Sequence, residues 1–283
     1  MTDPLRPADT SLDSHFAFGA NWRDFASRVG EVELSNARKD LIELLGRESF
    51  DGEMWIDLGC GSGIHAAAAA TLGARVLAID IDPISVTTTK EICERFNVSD
   101  RVQAQVASVF EFEHSIDHFD VVYSWGVLHH TGEMDRAISI AASLVSPSPN
   151  AELVLALYRR TKLCGFWRWE KRRYTNAGPK AQRVVQRLFS LFYGLSFLLR
   201  GRSFKTFKSS YRSRRGMNYH TDIHDWLGGY PYESVRPEDF VDKMSRSGFS
   251  VKRQNVRYAG RTPSGIFGSG CDEFVLGRIS SNT

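Results

Sequence analysis

The feature that most constrains the fold is a glycine-rich turn between a short apolar strand and an alanine-rich helix. Residues 55–63 read Trp-Ile-Asp-Leu-Gly-Cys-Gly-Ser-Gly, with glycines at 59, 61 and 63. Glycine has no Cβ, so this turn can bend sharply and bring its N–H groups close to a ligand. The alanines at 66–70 favour a helix, whose N-terminus exposes further donors. The pattern therefore predicts a strand, a tight loop and a helix, as in nucleotide-binding α/β folds.

A carboxylate ends the next apolar run along the chain. Residues 74–79 form a short buried-strand pattern that finishes at Asp80, and Asp82-Pro83 follows. An acid at the end of the second strand of a doubly wound unit can accept hydrogen bonds from ribose hydroxyls. Asp82 before a proline also fits the start of a helix. The ribose contact is therefore assigned to Asp80.

The spacing of the glycines separates two classes of loop. A nicotinamide-dinucleotide loop reads G-x-G-x-x-G/A, and its last position is occupied here by Ile64. The loop instead matches D-x-G-x-G-x-G from Asp57 onwards. Together with Asp80 and the segment 119–130 (Phe-Asp-Val-Val-Tyr-Ser-Trp-Gly-Val-Leu-His-His), it makes the chain resemble the class I S-adenosylmethionine-dependent methyltransferases over about residues 50–160.

The resemblance implies a doubly wound α/β fold with a mostly parallel, seven-stranded, Rossmann-like sheet, and S-adenosylmethionine as the methyl donor. It assigns donor binding to an N-terminal aromatic residue, the glycine turn and the ends of the first four strands: Trp22, Asp57, Gly59, Cys60, Gly61, Gly63, Asp80, Ile81, Ser108, Val109, Ser124 and Trp125. Members of this class usually carry an acid after the third strand that meets the adenine amine. This chain has Ser108 there, which departs from the pattern.

Aromatic residues near the N-terminus have two interpretations. Phe16, Phe18 and Trp22 surround a glycine just before the first predicted helix. They either close over the cofactor, whose sulfonium favours aromatic faces, or anchor that helix. Both alternatives stay open.

Alternating strand and helix patterns predict the rest of the chain. Strands are expected at 54–58, 75–80, 101–106, 119–124, 151–157, 250–258 and 273–279. Helices are expected up to about residue 45 and at 63–72, 83–96, 133–144, 179–199 and 237–247. The predicted division is a disordered N-terminus at 1–14, a methyltransferase domain at 15–158 and 248–283, and a basic helical cap or acceptor-binding insertion at 159–247.

The predicted insertion differs in charge from the rest of the chain. Residues 158–215 contain 17 Lys or Arg and one acid, Glu170, within a chain of net charge +3, so the remainder carries about −13. Such a shift indicates a module with an acidic partner. Three interpretations stay open: a cap that recognises an anionic small molecule, an RNA-binding surface, and a helix on an anionic membrane. In the membrane interpretation, the apolar face of the helix consists of Leu188, Leu191, Phe192, Leu195 and Leu199. No recognisable RNA-binding module accompanies the charge.

Histidines and acids in two regions are candidates for a general base. Open α/β sheets hold ligands at the carboxyl ends of their strands, so His129 and His130 are expected near the transferred methyl or its acceptor. The segment 214–233 combines histidines, acids and aromatics at a density that requires polar partners, which indicates acceptor binding. The predicted catalytic residues are His129, His220, His224 and Asp225. No metal site is predicted, because the segment lacks a cysteine pair or a clear helical histidine pair.

The predicted reaction is methyl transfer to an oxygen or nitrogen of a small-molecule or saccharide acceptor. The alternatives are an RNA-directed methyltransferase and a non-catalytic protein that binds S-adenosylmethionine or RNA. Four cysteines without paired spacing favour a reduced, cytoplasmic setting. The longest apolar stretch, 188–199, is too short to span a bilayer.

Overall fold

Seven strands form one sheet in the computed structural model, which describes residues 18–211 and 219–279. In chain order they are β1 (Met54–Leu58), β2 (Arg75–Asp80), β3 (Val102–Val106), β4 (Val121–Trp125), β5 (Glu152–Tyr158), β6 (Phe249–Asn255) and β7 (Cys271–Arg278). Their order across the sheet is β3-β2-β1-β4-β5-β7-β6. The first five are parallel, and β7 runs antiparallel to both β5 and β6. The predicted mostly parallel, seven-stranded, doubly wound sheet is confirmed.

Helices connect these strands. Those before the insertion are α1 (Gly19–Ala26), α2 (Glu31–Leu45), α3 (Ile64–Thr71), α4 (Pro83–Arg95) and α5 (Met134–Ser143). Those after β5 are α6 (Cys164–Thr175), α7 (Pro179–Leu198), α8 (Phe204–Ser209), α9 (Tyr219–Gly228) and α10 (Pro237–Arg246). Short 3-10 turns occupy Val109–Phe112 and Leu128–His130.

The prediction of a single N-terminal helix up to residue 45 is wrong. Two helices, α1 and α2, occupy this part of the chain, because Gly30 has an extended backbone and caps the start of α2. The Gly30 N–H donates to the Glu33 carboxylate, at 2.9 Å, in a capping arrangement. The predicted disordered N-terminus at 1–14 lies outside the described residues.

Apolar side chains cover both faces of the sheet. On one face α2, α3 and α4 pack against strand residues such as Trp55 and Val121. The alanines of α3, Ala66–Ala70, are all buried there, so this helix lies close to the strands. On the other face α5 and α10 pack against residues such as Ile56 and Val122. The carboxyl ends of β1 and β4 meet at the middle of this sheet, where the direction of winding reverses and ligands bind in such folds.

The helices between β5 and α10 form a second cluster, which we call the helical cap (residues 159–235). Its buried core is mostly aromatic and consists of Trp167, Tyr174, Tyr219, Ile223, Leu227 and Tyr232. Its two ends meet where the Val235 N–H donates to the Tyr158 carbonyl, at 2.9 Å. A buried ion pair between Arg159 and Asp272 ties its start to β7. Within the described ranges no helix is long and apolar enough to cross a membrane.

The last helix of the predicted insertion packs with the sheet instead of the cap. Phe240 and Met244 of α10 are buried in the core on the α5 side, together with Phe249 of β6. This helix therefore contributes to the α/β layer that follows the cap in the chain.

Candidate active site

The glycine turn after β1 has the backbone that its sequence requires. Gly59, Gly61 and Gly63 have φ of +84°, +54° and +77°, a region that other residues rarely adopt. Space is also restricted: a Cβ on Gly59 would lie 2.4 Å from Val127, and one on Gly63 would lie 2.6 Å from Thr89. The two outer glycines therefore allow close packing of the turn against the chain after β4 and against α4.

Asp80 lies directly beside this turn, at the end of β2. Its Oδ2 accepts a hydrogen bond from the Gly61 N–H at 3.0 Å, and its Oδ1 accepts one from the Asp82 N–H at 2.9 Å. Burial raises the pKa of the Asp80 carboxyl to about 6. Each carboxylate oxygen has a second lone pair, so the group can still accept two hydroxyl hydrogens. These two acceptor oxygens fit the two hydroxyls of a ribose.

Helix α1 crosses the same turn. The Gly19 N–H donates to Oδ2 of Asp82 at 3.0 Å, which fixes the start of α1 to the start of α4. The ring of Trp22 lies 3.1 Å from the position that a Cβ on Gly61 would occupy. The aromatic ring is thus packed on the middle of the glycine turn. Phe16, the other end of the aromatic segment, lies outside the described residues.

Three of the predicted donor-binding side chains are engaged within the protein. Ser124 is buried and its hydroxyl donates to the Leu58 carbonyl at 2.8 Å, joining β4 to β1. The Cys60 thiol lies 3.2 Å from the Thr89 hydroxyl. Asp57 is buried in the sheet, and burial raises its pKa to about 7. These side chains support the turn, whose backbone faces the site.

Ser108, after β3, caps the start of the short 3-10 helix Val109–Phe112. The Ser108 hydroxyl accepts from the Phe110 N–H at 3.3 Å, and the Ser108 N–H donates to Glu111 at 2.7 Å. Val109 is buried against the core. The departure from the family pattern at Ser108 thus coincides with a capping box.

Trp125 and Ile81 lie at strand ends. Trp125 is the last residue of β4, is exposed, and donates its indole N–H to Glu273 of β7 at 3.0 Å. His65, in the first turn of α3, has its ring 6.5 Å from that of Trp125, and burial lowers its pKa to about 4. Ile81 is half-buried in the turn after β2.

His129, the first candidate base, is fully buried after β4. Its Nδ1 accepts the Tyr158 N–H at 3.2 Å, so in the neutral ring the proton is on Nε2. Nε2 has no hydrogen-bond partner within the described ranges. Burial lowers the pKa of His129 well below its usual value, and the charges of neighbouring groups act in the same direction. Its basic nitrogen is therefore already occupied by the backbone, which disfavours a role as a base.

His130 faces the cap and α1. Its Nδ1 lies 2.7 Å from the Pro231 carbonyl oxygen, which can only accept, so Nδ1 carries a proton. The ring lies 5.4 Å from that of Phe18 and 5.2 Å from that of Tyr158. A Cβ on Gly229 would lie 2.7 Å from the ring. His130 is thus held where α1, the end of β5 and the cap meet.

The two cap histidines lie on a different face of α9 from Asp225. His220 and His224 are four residues apart and share one face. The His224 Nδ1 lies 2.6 Å from the Tyr174 hydroxyl and 3.0 Å from the Gln186 amide. His220 borders a groove beside α7. Burial lowers the pKa of both rings. The contacts of His224 thus lie within the cap, and His220 lies beside α7.

Asp225, by contrast, contacts α1. The Asn21 side-chain amide donates to its carboxylate, and Asn21 lies two residues after Gly19, the helix start that is bound to Asp82. Burial raises the pKa of Asp225 to about 7. Helix α1 therefore contacts both sites. Gly19 and Trp22 lie at the predicted donor site, and Asn21 contacts the cap.

A buried lysine lies beside Asp225, and the sequence analysis did not find it. Lys171 of α6 is fully buried, and its Nζ lies 3.7 Å from the centre of the Trp226 ring and 5.3 Å from that of Tyr232. Nζ and the Trp226 indole N–H have no hydrogen-bond partner within the described part of the chain. Burial lowers the pKa of Lys171 to about 7, and the charges of Glu170 and, to a smaller extent, Asp225 oppose this shift.

The position of Lys171 could have been found from periodicity. It lies between Trp167 and Tyr174 at spacings of four and three, and all three are buried on one face of α6. Its neighbours in the sequence include exposed arginines, so the charge composition alone does not indicate that Lys171 is buried. Among the described residues no group of three or more histidines, cysteines or acids could hold a metal ion.

Comparison with known proteins agrees with the fold. A family model described as a methyltransferase domain matches residues 56–148. The ribosomal protein L11 methyltransferase of Acinetobacter baylyi is 42% identical over 84 residues, covering 29% of this chain and 28% of that protein. The mitochondrial ubiquinone biosynthesis O-methyltransferase of Schizosaccharomyces pombe is 30% identical over 156 residues, covering 54% and 56%. The matches thus span 28% and 56% of the lengths of these two curated relatives.

A solved structure resembles the chain over almost its whole length. The magnesium protoporphyrin IX methyltransferase of Synechocystis with bound S-adenosylmethionine covers 98% of this chain and 100% of its own, with a TM-score of 0.55 and 15% identity. At that identity the likeness concerns the fold. Residues 56–148 thus match a methyltransferase-domain family, and the chain has the fold of a methyltransferase that binds S-adenosylmethionine.

Proposed function

We propose that the protein transfers a methyl group from S-adenosylmethionine to an oxygen or nitrogen of a small-molecule acceptor held between α1, the end of β5 and the helical cap. The observation that carries this is the placement of the Asp80 carboxylate against the Gly61 N–H, under the ring of Trp22. The names of the ubiquinone biosynthesis O-methyltransferase and the magnesium protoporphyrin IX methyltransferase support a small-molecule acceptor, while the L11 methyltransferase is named for a protein acceptor.

The donor site is proposed at the glycine turn. Asp80 accepts the two ribose hydroxyls, and the ring of Trp22 covers the turn, where an aromatic face favours a positive sulfonium. The turn glycines keep the backbone open to the ligand. S-adenosylmethionine supplies a methyl group already activated by its sulfonium, so the protein chiefly has to position the acceptor and exclude water.

The acceptor site is proposed at the junction of α1 with the cap. His130, Phe18 and Tyr158 form its aromatic side, and Asp225 and Lys171 form its charged side. Unpartnered buried polar atoms are costly, and the Lys171 Nζ is such an atom. A polar or acidic group on the acceptor would satisfy it. This arrangement favours a small molecule with aromatic surface and an ionisable group, while a saccharide remains an alternative.

Asp225 is the proposed proton acceptor. Its raised pKa keeps it close to the pH at which a base is both ionised and strong enough to take a proton. His220 and His224 are engaged on the other face of α9, and His129 is occupied by the backbone, so Asp225 is the predicted catalytic residue that best fits the geometry. The proton of the acceptor hydroxyl or amine passes to Asp225 as the nucleophile attacks.

The experiment is a binding measurement followed by turnover. Purified protein is titrated with S-adenosylhomocysteine by calorimetry, and Asp80→Asn is compared with Asp100→Asn, an exposed carboxylate in the turn after α4. Binding that is lost only in Asp80→Asn supports the donor site. Methyl transfer is then tested with radiolabelled S-adenosylmethionine against pools of small phenols, carboxylic acids and saccharides. Absence of binding in the unchanged protein contradicts the proposal.

RNA as acceptor is the second candidate, favoured by the charge of the cap. It predicts labelled RNA in the same assay and binding that weakens steeply with salt. A small-molecule acceptor predicts label in the extractable metabolite fraction instead.

A further inference from the structure

One face of α7 carries apolar side chains to the surface. Ten of the eighteen large hydrophobic residues exposed in the described chain lie between residues 163 and 199; six of them are on α7, and a seventh directly follows it. Those seven, which we call the α7 stripe, are Val184, Leu188, Leu191, Phe192, Leu195, Leu198 and Leu199. They recur at intervals of three and four, so they share one side of the helix. Contiguous exposed apolar surface of this kind marks an interaction site.

The opposite side of α7 already supplies the contacts that fold the cap. Val185, Phe189 and Tyr193 pack against the aromatic cluster of the cap. The α7 stripe is therefore additional to the apolar face that folding requires. Leu198 and Leu199 are 72% and 81% exposed, which is far more than packing at the edge of a core explains.

Exposed cations are frequent in the part of the chain that contains the α7 stripe. Exposed Lys and Arg side chains in the same helices and their connections are Arg168, Arg172, Arg173, Lys180, Arg183, Arg187, Arg200, Arg202 and Lys205. None of these nine side chains forms an ion pair with a carboxylate within residues 18–211 and 219–279. Their positive charge is thus not paired with carboxylates in the part of the chain that the structure describes.

A groove beside the stripe combines both properties. It lies between α7 and α8, has a volume of about 760 Å³, and is lined by Leu191, Leu195 and Leu198 with Arg183, Arg187 and Lys208 among its other residues. Apolar walls with cationic side chains suit a molecule that has acyl chains and an anionic headgroup. Nucleic acid would use the cations and leave the leucines exposed, and a second copy of the chain would bring its own positive charges into contact.

We propose that α7 docks the protein on a bilayer surface that contains anionic phospholipids. Helix α7 has 20 residues, so it is about 30 Å long. Lying in the plane of the interface, it would bury the α7 stripe among the acyl chains while the flanking Lys and Arg contact phosphates. The aromatic side chains of Phe192 on α7 and Trp169 on α6 are both exposed, and Trp is enriched at membrane interfaces.

The test is flotation of the full chain with vesicles of phosphatidylcholine alone and with one third phosphatidylglycerol. The protein is expected to float with the anionic vesicles and to remain unbound with the neutral ones. The double variant Phe192→Ser/Leu199→Ser is expected to weaken binding at least about tenfold through lost apolar burial. Its control, Val32→Ser/Ile116→Ser, removes two exposed apolar side chains outside the cap and should bind as the unchanged protein does.

A second pair of variants tests the cations. Arg183→Gln/Arg187→Gln is expected to weaken binding about tenfold or more, because each cation near an anionic surface contributes a several-fold gain in affinity. The matched control Lys39→Gln/Lys90→Gln removes two exposed cations from the sheet side and should have no effect. Thermal stabilisation by S-adenosylhomocysteine is measured in every variant, so that a folding defect is recognised.

Three results would overturn the proposal. Equal binding of the stripe variant and its control would show that the apolar face is not used. Tight binding of RNA that survives Phe192→Ser/Leu199→Ser, with no vesicle binding, would assign the cations to nucleic acid. A dimer in light scattering that the stripe variant converts to a monomer, again without vesicle binding, would assign the stripe to self-association.

Discussion

The Gly61 N–H donates a hydrogen bond to Oδ2 of Asp80 at 3.0 Å, and so joins the glycine turn after β1 to the carboxylate at the end of β2. Two residues that are 19 positions apart in sequence thereby form one site. The Asp82 N–H holds the other carboxylate oxygen at 2.9 Å, so the orientation of the group is set by the backbone before any ligand binds.

Asp80→Asn is expected to weaken binding of S-adenosylhomocysteine roughly 10- to 100-fold. The amide replaces one acceptor oxygen by a donor, and hydrogen bonds to charged groups are worth about 1.5–3 kcal/mol each. Calorimetry measures the change, with thermal unfolding as the check that the variant is folded. An affinity within twofold of that of the unchanged protein would remove Asp80 from the donor site.

Gly61→Ala separates backbone strain from crowding by Trp22. Alanine at positive φ costs about 1 kcal/mol, and Gly52→Ala carries a similar cost, because Gly52 has a φ of +79° with nothing within 4 Å of an added Cβ. At Gly61 the new methyl would also lie 3.1 Å from the Trp22 ring. We expect Gly61→Ala to lower the free energy of unfolding more than Gly52→Ala does.

The excess is expected to disappear when Trp22→Ala is the background, since the clash is then removed. Chemical denaturation of the four variants and the unchanged protein measures this coupling. If the excess persists without Trp22, another neighbour of the turn causes it.

Asp225→Asn is expected to lower the turnover number about 100-fold, within the range that a general base contributes. In the unchanged protein the rate should rise with pH through about 7, where Asp225 loses its proton, and this limb should be absent in the variant. The pH profile of the turnover number, determined with an acceptor found in the labelling screen, measures both effects. Asp242→Asn, an exposed acid on α10, is the control. A variant that keeps the limb would show that Asp225 only positions α1.

Lys171→Met is expected to change how stability depends on pH. The folded pKa of Lys171 is about 7 against a reference value of 10.5, so between these values the unfolded chain binds the extra proton. The free energy of unfolding of the unchanged protein therefore rises with pH from 7 towards 10, and the full cost of burying the charge applies below 7. The variant should lose this rise.

At neutral pH Lys171→Met should be more stable by a few kcal/mol, at about 1.4 kcal/mol per pKa unit, and less active if the lysine binds the acceptor. Urea unfolding at several pH values provides the measurement, with the exposed Lys180→Met as control. Unchanged pH dependence in the variant would mean that the lysine does not titrate in this range.

Ser124→Ala tests whether that residue supports the sheet or binds the donor. Its hydroxyl donates to the Leu58 carbonyl in a buried position, so we expect a loss of about 1–3 kcal/mol in the free energy of unfolding with unchanged affinity for S-adenosylhomocysteine. Ser139→Ala, on the exposed side of α5, should cost less. A large loss of affinity without a loss of stability would restore the residue to the donor site.

Much of the α/β layer could be predicted from local sequence. The glycine turn, Asp80 and the alternation of strands and helices depend on residues close together in the chain, and the period of apolar side chains follows from local geometry. For this reason the seven strands and the place of the carboxylate were found. The break between α1 and α2 was missed, because its cause is a single extended glycine, Gly30.

The residues of the proposed acceptor site could be distinguished only from the tertiary structure. His129 and His130 are adjacent in sequence, yet one is bonded to the Tyr158 backbone and the other to Pro231. Lys171 could not be distinguished from its arginine neighbours by charge, because burial depends on which face of α6 meets α9. Burial and contacts across the chain set the pKa of each group, and neither is encoded in the spacing of residues.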